Sequence, residues 1–106
     1  MENSQKNSFI DFELSNGEVV KLTLTFGKLR LMKSVNNRLY ERYNDVVFGK
    51  SNDFLDIALI IYVAYWCANF GHGEKMYDED SFIDLVPMDM VELQRVQKQL
   101  TNAKKK

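Results

Sequence analysis

The sequence from Ile57 to Ala68 reads IALIIYVAYWCA, an unbroken run of 12 residues of the apolar class. Such a run is too short to span a bilayer, which takes about 20 residues in a helix. Its length and its three alanines favour a helix over a strand. A helix that is apolar on all sides must be covered on all sides, so we expect this one at the centre of the fold.

Upstream of this run, two short segments alternate in the manner of half-buried β-strands. Residues 9–14 alternate apolar with acidic side chains, and residues 18–25 alternate apolar with polar ones. Asn16-Gly17 between them is typical of a hairpin turn, because both residues tolerate positive φ. An isolated hairpin is marginally stable, so its apolar side is expected to pack on helices. That side consists of Ile10, Phe12, Leu14, Val20, Leu22 and Leu24.

A long helix is predicted between the hairpin and the apolar run. It extends from Lys28 to Phe48, and Gly49 is the expected left-handed cap. Asn36 interrupts its apolar stripe, and we place this residue at the edge of the stripe. The stripe itself comprises Leu29, Met32, Leu39, Tyr43 and Val46.

Two shorter helices are predicted after the apolar run. Acidic residues at 78–80 open the first, and Pro87 ends it. Asp89 and Glu92 have the spacing of a capping box at the start of the second.

The combined prediction is an α+β protein, mainly helical, in which an N-terminal β-hairpin packs on a small bundle of about four helices. We expect a single globular domain over residues 9–100. It is flanked by a flexible polar tail over residues 1–8 and a basic tail over residues 101–106.

The composition is that of a small globular protein with 106 residues, 45% of them hydrophobic, and a formal net charge of -1. Residues 28–50 carry six Lys or Arg and two acids, a net +4, whereas residues 51–93 carry nine acids and one Lys, a net -8. Opposite charges of this kind suit side-by-side packing within a domain or the steering of a partner. The single Cys forms no internal disulfide, and the N-terminus lacks a signal-peptide pattern, so a cytoplasmic protein without a membrane segment is expected.

Candidate chemistry is scarce. His72 lies between two glycines with no nucleophile motif near it, and Cys67 sits inside the apolar run with no cation to activate its thiol. The acids at 78–80 and Asp84 lack the spacing of a calcium loop and suit a first helical turn instead. We therefore expect no catalytic residues, no cofactor and no metal, and hence a protein that is not an enzyme.

Aromatic and Met side chains exceed what one small core needs to bury. Tyr and Trp are favoured at protein interfaces, and Met supplies adaptable apolar surface. We predict a partner-binding surface from Tyr40 and Tyr43 on the long helix and from Met88 and Met90 near the start of the last one.

Four segments carry a resemblance to a known family. They are Leu24-Thr25-Phe26-Gly27-Lys28-Leu29, Leu39-Tyr40-x-Arg42-Tyr43-Asn44, Tyr62-x-Ala64-Tyr65-x-Cys67-Ala68-Asn69 and Phe82-x-x-Leu85-Val86-Pro87-x-Asp89. In order and spacing, over about residues 18–100, they resemble the tail assembly chaperones of long-tailed phages and prophages of Gram-positive bacteria. These are patterns of packing, not catalytic signatures.

The resemblance implies a function in phage tail morphogenesis. Such chaperones coat and solubilise the long helical tape measure protein and help recruit tail tube subunits around it. They act in the cytoplasm of the infected or lysogenic host and are absent from the mature virion. The family often makes a longer product by translational frameshifting, and Lys104-Lys105-Lys106 is compatible with a slippery adenine-rich codon tract.

Two alternative functions remain open at this point. One is a small phage or bacterial regulator that binds nucleic acid through residues 28–50, although the net charge of -1 is unfavourable for phosphate binding. The other is a structural tail or head-tail connector subunit that stays in the virion. Our main expectation includes neither nucleic-acid nor membrane binding. The free edge of the hairpin also suits pairing with a second copy, so a homo-oligomer is a further expectation.

Overall fold

A central helix, α3 (Phe54–Asn69), organises the protein. A computed structural model describes residues 9–49, 53–71 and 75–102. Every residue from Ile57 to Ala68 is buried, because the second strand and the other four helices all pack against α3. The prediction of a covered central helix is therefore confirmed. Among the described residues, no helix combines the length and the apolar character needed to cross a membrane.

The N-terminal hairpin pairs β1 (Ile10–Glu13) with β2 (Val19–Leu22) in antiparallel register, with Phe12 opposite Val20. The Leu14 amide donates to the Glu18 carbonyl at 2.8 Å, which leaves a three-residue loop at 15–17. Gly17 closes this loop with φ of +92°, a conformation that costs a residue with a Cβ more than it costs glycine.

The hairpin is attached to α3 by packing and by hydrogen bonds. The Thr23 amide donates to the Ala64 carbonyl at 3.1 Å, and Asn69 Nδ2 donates to the Lys21 carbonyl at 3.2 Å. Five of the six predicted apolar positions are buried, namely Phe12, Leu14, Val20, Leu22 and Leu24, and Ile10 packs beside them partly buried. The alternation is confirmed from Ile10 to Leu22, whereas Thr23, expected on the polar side, is buried at 6% exposure beyond the end of β2.

The predicted long helix is instead two helices, α1 (Phe26–Val35) and α2 (Asn37–Gly49). Asn36 leaves the helical conformation, with φ of −149° and ψ of 71°, and its Oδ1 accepts a hydrogen bond from the Leu39 amide at 3.2 Å. Placing this residue at the edge of one continuous stripe was wrong, because its side chain caps the start of α2. The expected left-handed cap at Gly49 is also wrong, since this residue is helical.

The last two helices are α4 (Glu79–Leu85) and α5 (Met90–Asn102). Asp78 Oδ1 accepts from the Ser81 amide at 2.8 Å, and Asp89 Oδ1 accepts from the Glu92 amide at 3.2 Å. Both caps lie where the sequence predicts helix starts. Helix α5 continues two residues into the predicted basic tail, and its buried face is Leu93, Val96 and Leu100.

Over the described residues, the architecture is therefore α+β and mainly helical, as predicted, with a two-stranded hairpin followed by five helices. The number of helices exceeds the predicted four by one, because Asn36 divides the long one. The predicted N-terminal tail over residues 1–8, His72 and the three C-terminal lysines lie outside the described residues.

Candidate protein-binding surface

Several large apolar side chains remain exposed, and they fall into separate regions. The most exposed are Met88 at 84%, Phe26 at 81%, Val91 at 79% and Phe48 at 78%. Exposed apolar side chains that lie together mark interaction sites more often than isolated ones do. One grouping by position in the chain lies around the start of α5, where Met88 and Val91 are three residues apart.

We call Met88, Met90 and Val91 the Met88 surface. Met90 is half-buried and packs against the core, whereas its two neighbours point outward. Helix geometry explains Val91, because it lies two residues, or about 200° around the helix, from the buried Leu93. From the sequence we predicted the two methionines but not Val91. The signal was present, because Val91 lies outside the periodic stripe of Leu93, Val96 and Leu100.

The Met88 surface continues into a polar stretch of α5. A shallow depression of about 560 Å³ is lined by Val91, Gln94, Arg95, Gln97 and Lys98. Arg95 holds Glu92 through two hydrogen bonds, of 2.7 and 3.1 Å. This guanidinium lowers the pKa of the Glu92 carboxyl. The helix thus offers apolar side chains at its start and charged ones one to two turns later.

The predicted residues Tyr40 and Tyr43 lie on α2 and are half-buried against the core. Lys33 Nζ lies 5.6 Å from the centre of the Tyr40 ring, and burial raises the pKa of Tyr43. Both rings therefore contribute to packing and expose only part of their area.

Tyr40 and Tyr43 lie on α2, whereas Met90 is the first residue of α5 and Met88 precedes it. Among the described residues, α2 and α5 each pack on α3 and share no extensive contact with each other. The role of each residue in binding stays a prediction.

A third apolar region borders the connection between α2 and α3. Phe48, next to the last residue of α2, is 78% exposed, and Leu55, the second residue of α3, is 66% exposed. Val47 beside them is 40% exposed. These residues were not among the predicted binding positions.

Among the described residues, Cys67 is buried and Arg42 is paired with Glu79. Burial raises the pKa of the Cys67 thiol to about 12, so this thiol is protonated at neutral pH. Arg42 donates to both carboxylate oxygens of Glu79, at 2.8 and 2.7 Å. Within the ranges that the structure describes, no three His, Cys, Asp or Glu side chains are grouped as metal ligands would be.

Residues 28–50 were considered above for nucleic-acid binding. Two of their cationic side chains contact other side chains of the protein. Arg42 is the partner of Glu79, which joins α2 to α4, and Lys33 lies over the Tyr40 ring. The Glu79 carboxylate therefore offsets the charge of Arg42, whereas Lys33 keeps its charge.

No family model matches the chain, and neither curated proteins nor solved structures give a match.

Proposed function

We propose that this protein is a phage tail assembly chaperone that binds and solubilises the tape measure protein and helps recruit tail tube subunits. On this proposal it acts in the cytoplasm of the bacterial host and does not remain in the mature virion. The chemistry is non-covalent binding alone, without cofactor or nucleotide.

The segments that carry the family resemblance support the proposal through the contacts they make. Thr25 Oγ1 accepts from the Lys28 amide at 3.2 Å and so caps α1. The rings of Tyr65 and Phe82 stack with centroids 4.5 Å apart, and Tyr62 lies 5.6 Å from Phe82. Residues from all four segments thus have identifiable structural roles, since Arg42 of the second segment pairs with Glu79.

The observation that carries the proposal is the exposure of Met88 and Val91. A long helical client presents apolar stripes that aggregate when uncovered. Unbranched Met side chains adapt to varied apolar partners, so a surface built around them suits a client whose stripe changes along its length. Many copies, each bound weakly, would cover such a client with high combined avidity.

The test is co-expression with the tape measure protein of the same phage genome, followed by size-exclusion chromatography. We expect the tape measure protein to become soluble and to co-elute with this chain. If it stays insoluble while this chain elutes alone, the chaperone proposal is wrong.

Two variant pairs then locate the binding surface. Met88→Asp with Val91→Asp should abolish co-elution, because charges would replace exposed apolar contacts without disturbing the core. The matched control is Phe48→Asp with Leu55→Asp, which makes the same change at similarly exposed positions and should leave co-elution intact. The reverse result would assign binding to the connection between α2 and α3.

A further inference from the structure

The two edges of the hairpin differ in how their peptide groups are used. Leu14 and Glu18 form a hydrogen-bonded pair, and such pairs alternate along an antiparallel ladder. The peptide groups of Ile10 and Phe12 therefore point toward β2, whereas those of Asp11 and Glu13 point outward. The β2 edge is covered, because Thr23 and Lys21 hydrogen-bond to α3. The β1 edge has no such cover from the described residues.

The open part of the β1 edge is short and well defined. It ends at Ser15, whose amide donates to the Leu85 carbonyl at the end of α4, at 2.8 Å. Before this point lie the amide and carbonyl groups of Asp11 and Glu13. No described residue hydrogen-bonds to these four groups. A strand added here would complete a three-stranded sheet.

The side chains beside this edge are acidic. Asp11 faces Lys21 across the hairpin and forms an ion pair with it. Glu13 faces Val19, so no cation stands directly opposite it, and its diagonal neighbour Lys21 is paired with Asp11. Both carboxylates are exposed on the outer face of the sheet.

This charge pattern is unfavourable for a second copy. In antiparallel registers centred on Asp11, Phe12 or Glu13, a carboxylate of one copy would stand directly opposite a carboxylate of the other. Like charges directly opposite one another destabilise strand pairing, whereas opposite charges favour it. The same edge suits a strand with cationic side chains facing Glu13.

We propose that the β1 edge binds an extended segment of a partner protein that carries Lys or Arg at alternate positions. Main-chain hydrogen bonds to Asp11 and Glu13 hold the segment, and the carboxylate of Glu13 selects its charge. This site is separate from the Met88 surface and goes beyond the proposed chaperone function.

The test uses the full-length ¹⁵N-labelled chain and a capped synthetic peptide of alternating lysine and valine. We expect the peptide to shift the amide signals of Asp11 and Glu13 and to slow their hydrogen exchange. The same peptide with glutamate for lysine should bind at least about fivefold more weakly. A peptide N-methylated at the amides that face the edge should not bind. Equal binding of the N-methylated peptide, or shifts confined to other residues, would overturn the proposal.

Charge reversal on the protein gives the matched control. Glu13→Lys should weaken peptide binding about fivefold or more, whereas Glu41→Lys, on the exposed side of α2, should leave it unchanged. Slow exchange of the Asp11 and Glu13 amides in the peptide-free chain would also contradict the proposal. If that slow exchange depends on protein concentration, a second copy of the chain occupies the edge. If it does not, another part of the same chain occupies the edge.

Discussion

Phe82 is the residue on which the aromatic packing of the protein converges. Its side chain is fully buried, and its ring stacks on Tyr65 and contacts Tyr62. Because these three residues join α4 to the middle of α3, the ring fixes the position of α4 on the central helix.

Replacing Phe82 with Ala should lower the free energy of unfolding by about 3–5 kcal/mol, since it removes a buried ring and leaves a cavity. The matched control is Phe48→Ala, at a position that is 78% exposed, and it should change stability by less than about 0.5 kcal/mol. Urea denaturation of both variants measures the difference. Equal losses would show that the ring at position 82 is not an anchor.

Asp78 links stability to pH. The Ser81 amide donates to its carboxylate, and this hydrogen bond lowers the pKa of Asp78. A carboxyl group with a lowered folded-state pKa stabilises the fold above its unfolded-state pKa. That contribution is lost as the pH falls through the folded-state value.

Asp78→Asn keeps a capping acceptor but removes the titration. The variant should therefore lose less stability than the native chain when the pH is lowered from 7 to below about 4. Urea midpoints at pH 7 and pH 3 give the comparison. A variant with the same or a larger loss on acidification would contradict the role of this carboxylate.

At the scale of elements, the break between α1 and α2 shows what a local pattern can and cannot predict. Met32 and Leu39 are both buried, and they are seven residues apart, which is also the spacing of one continuous helix. The apolar period therefore passes through Asn36 without revealing the break. The decisive interaction is a single hydrogen bond from the Leu39 amide to the Asn36 side chain.

Asn36→Ala should destabilise the protein by about 1 kcal/mol, because it removes the cap of α2. Asn36→Asp retains an acceptor and should remain close to the native stability. Thermal or urea unfolding of the two variants distinguishes the cap from the tertiary contacts. If the alanine variant is as stable as the native chain, the break is fixed by packing and not by the cap.

The other elements were largely predictable because their signals are local. The hairpin follows from alternation around Asn16-Gly17, and the starts of α4 and α5 follow from Asp78 and Asp89. The lengths of these elements and the elements they pack against could not be predicted from local patterns, because tertiary packing determines both.

At the scale of the whole molecule, several decisive contacts join residues far apart in sequence. Arg42 pairs with Glu79, and the Tyr77 hydroxyl donates to Glu18. No local pattern connects such residues, so the sequence alone could not indicate them. Local sequence also could not predict how far Tyr40 and Tyr43 are exposed, because their half-burial depends on how α2 packs on the core.

The depth of α3 makes Cys67 a reporter of global unfolding. Its side chain is fully buried and its pKa is raised to about 12, so the native thiol should not react with Ellman's reagent at neutral pH. Labelling should proceed only through opened molecules, at a rate that follows the free energy of unfolding. Met88→Cys provides the control, with one rapidly labelled thiol. Rapid labelling of two thiols in that variant would show that α3 opens locally.

The central position of α3 has a consequence for synthesis on the ribosome. The chain emerges N-terminus first, so α3 is complete before α4 and α5, which cover part of it, have been translated. From the time α3 leaves the ribosome until α4 and α5 follow it, the side of IALIIYVAYWCA that α4 and α5 later cover faces solvent or any nearby protein. Nascent chains that expose apolar surface in this way are prone to aggregate. The interval between the emergence of α3 from the ribosome and the docking of α4 and α5 is thus the period in which this protein itself depends on protection.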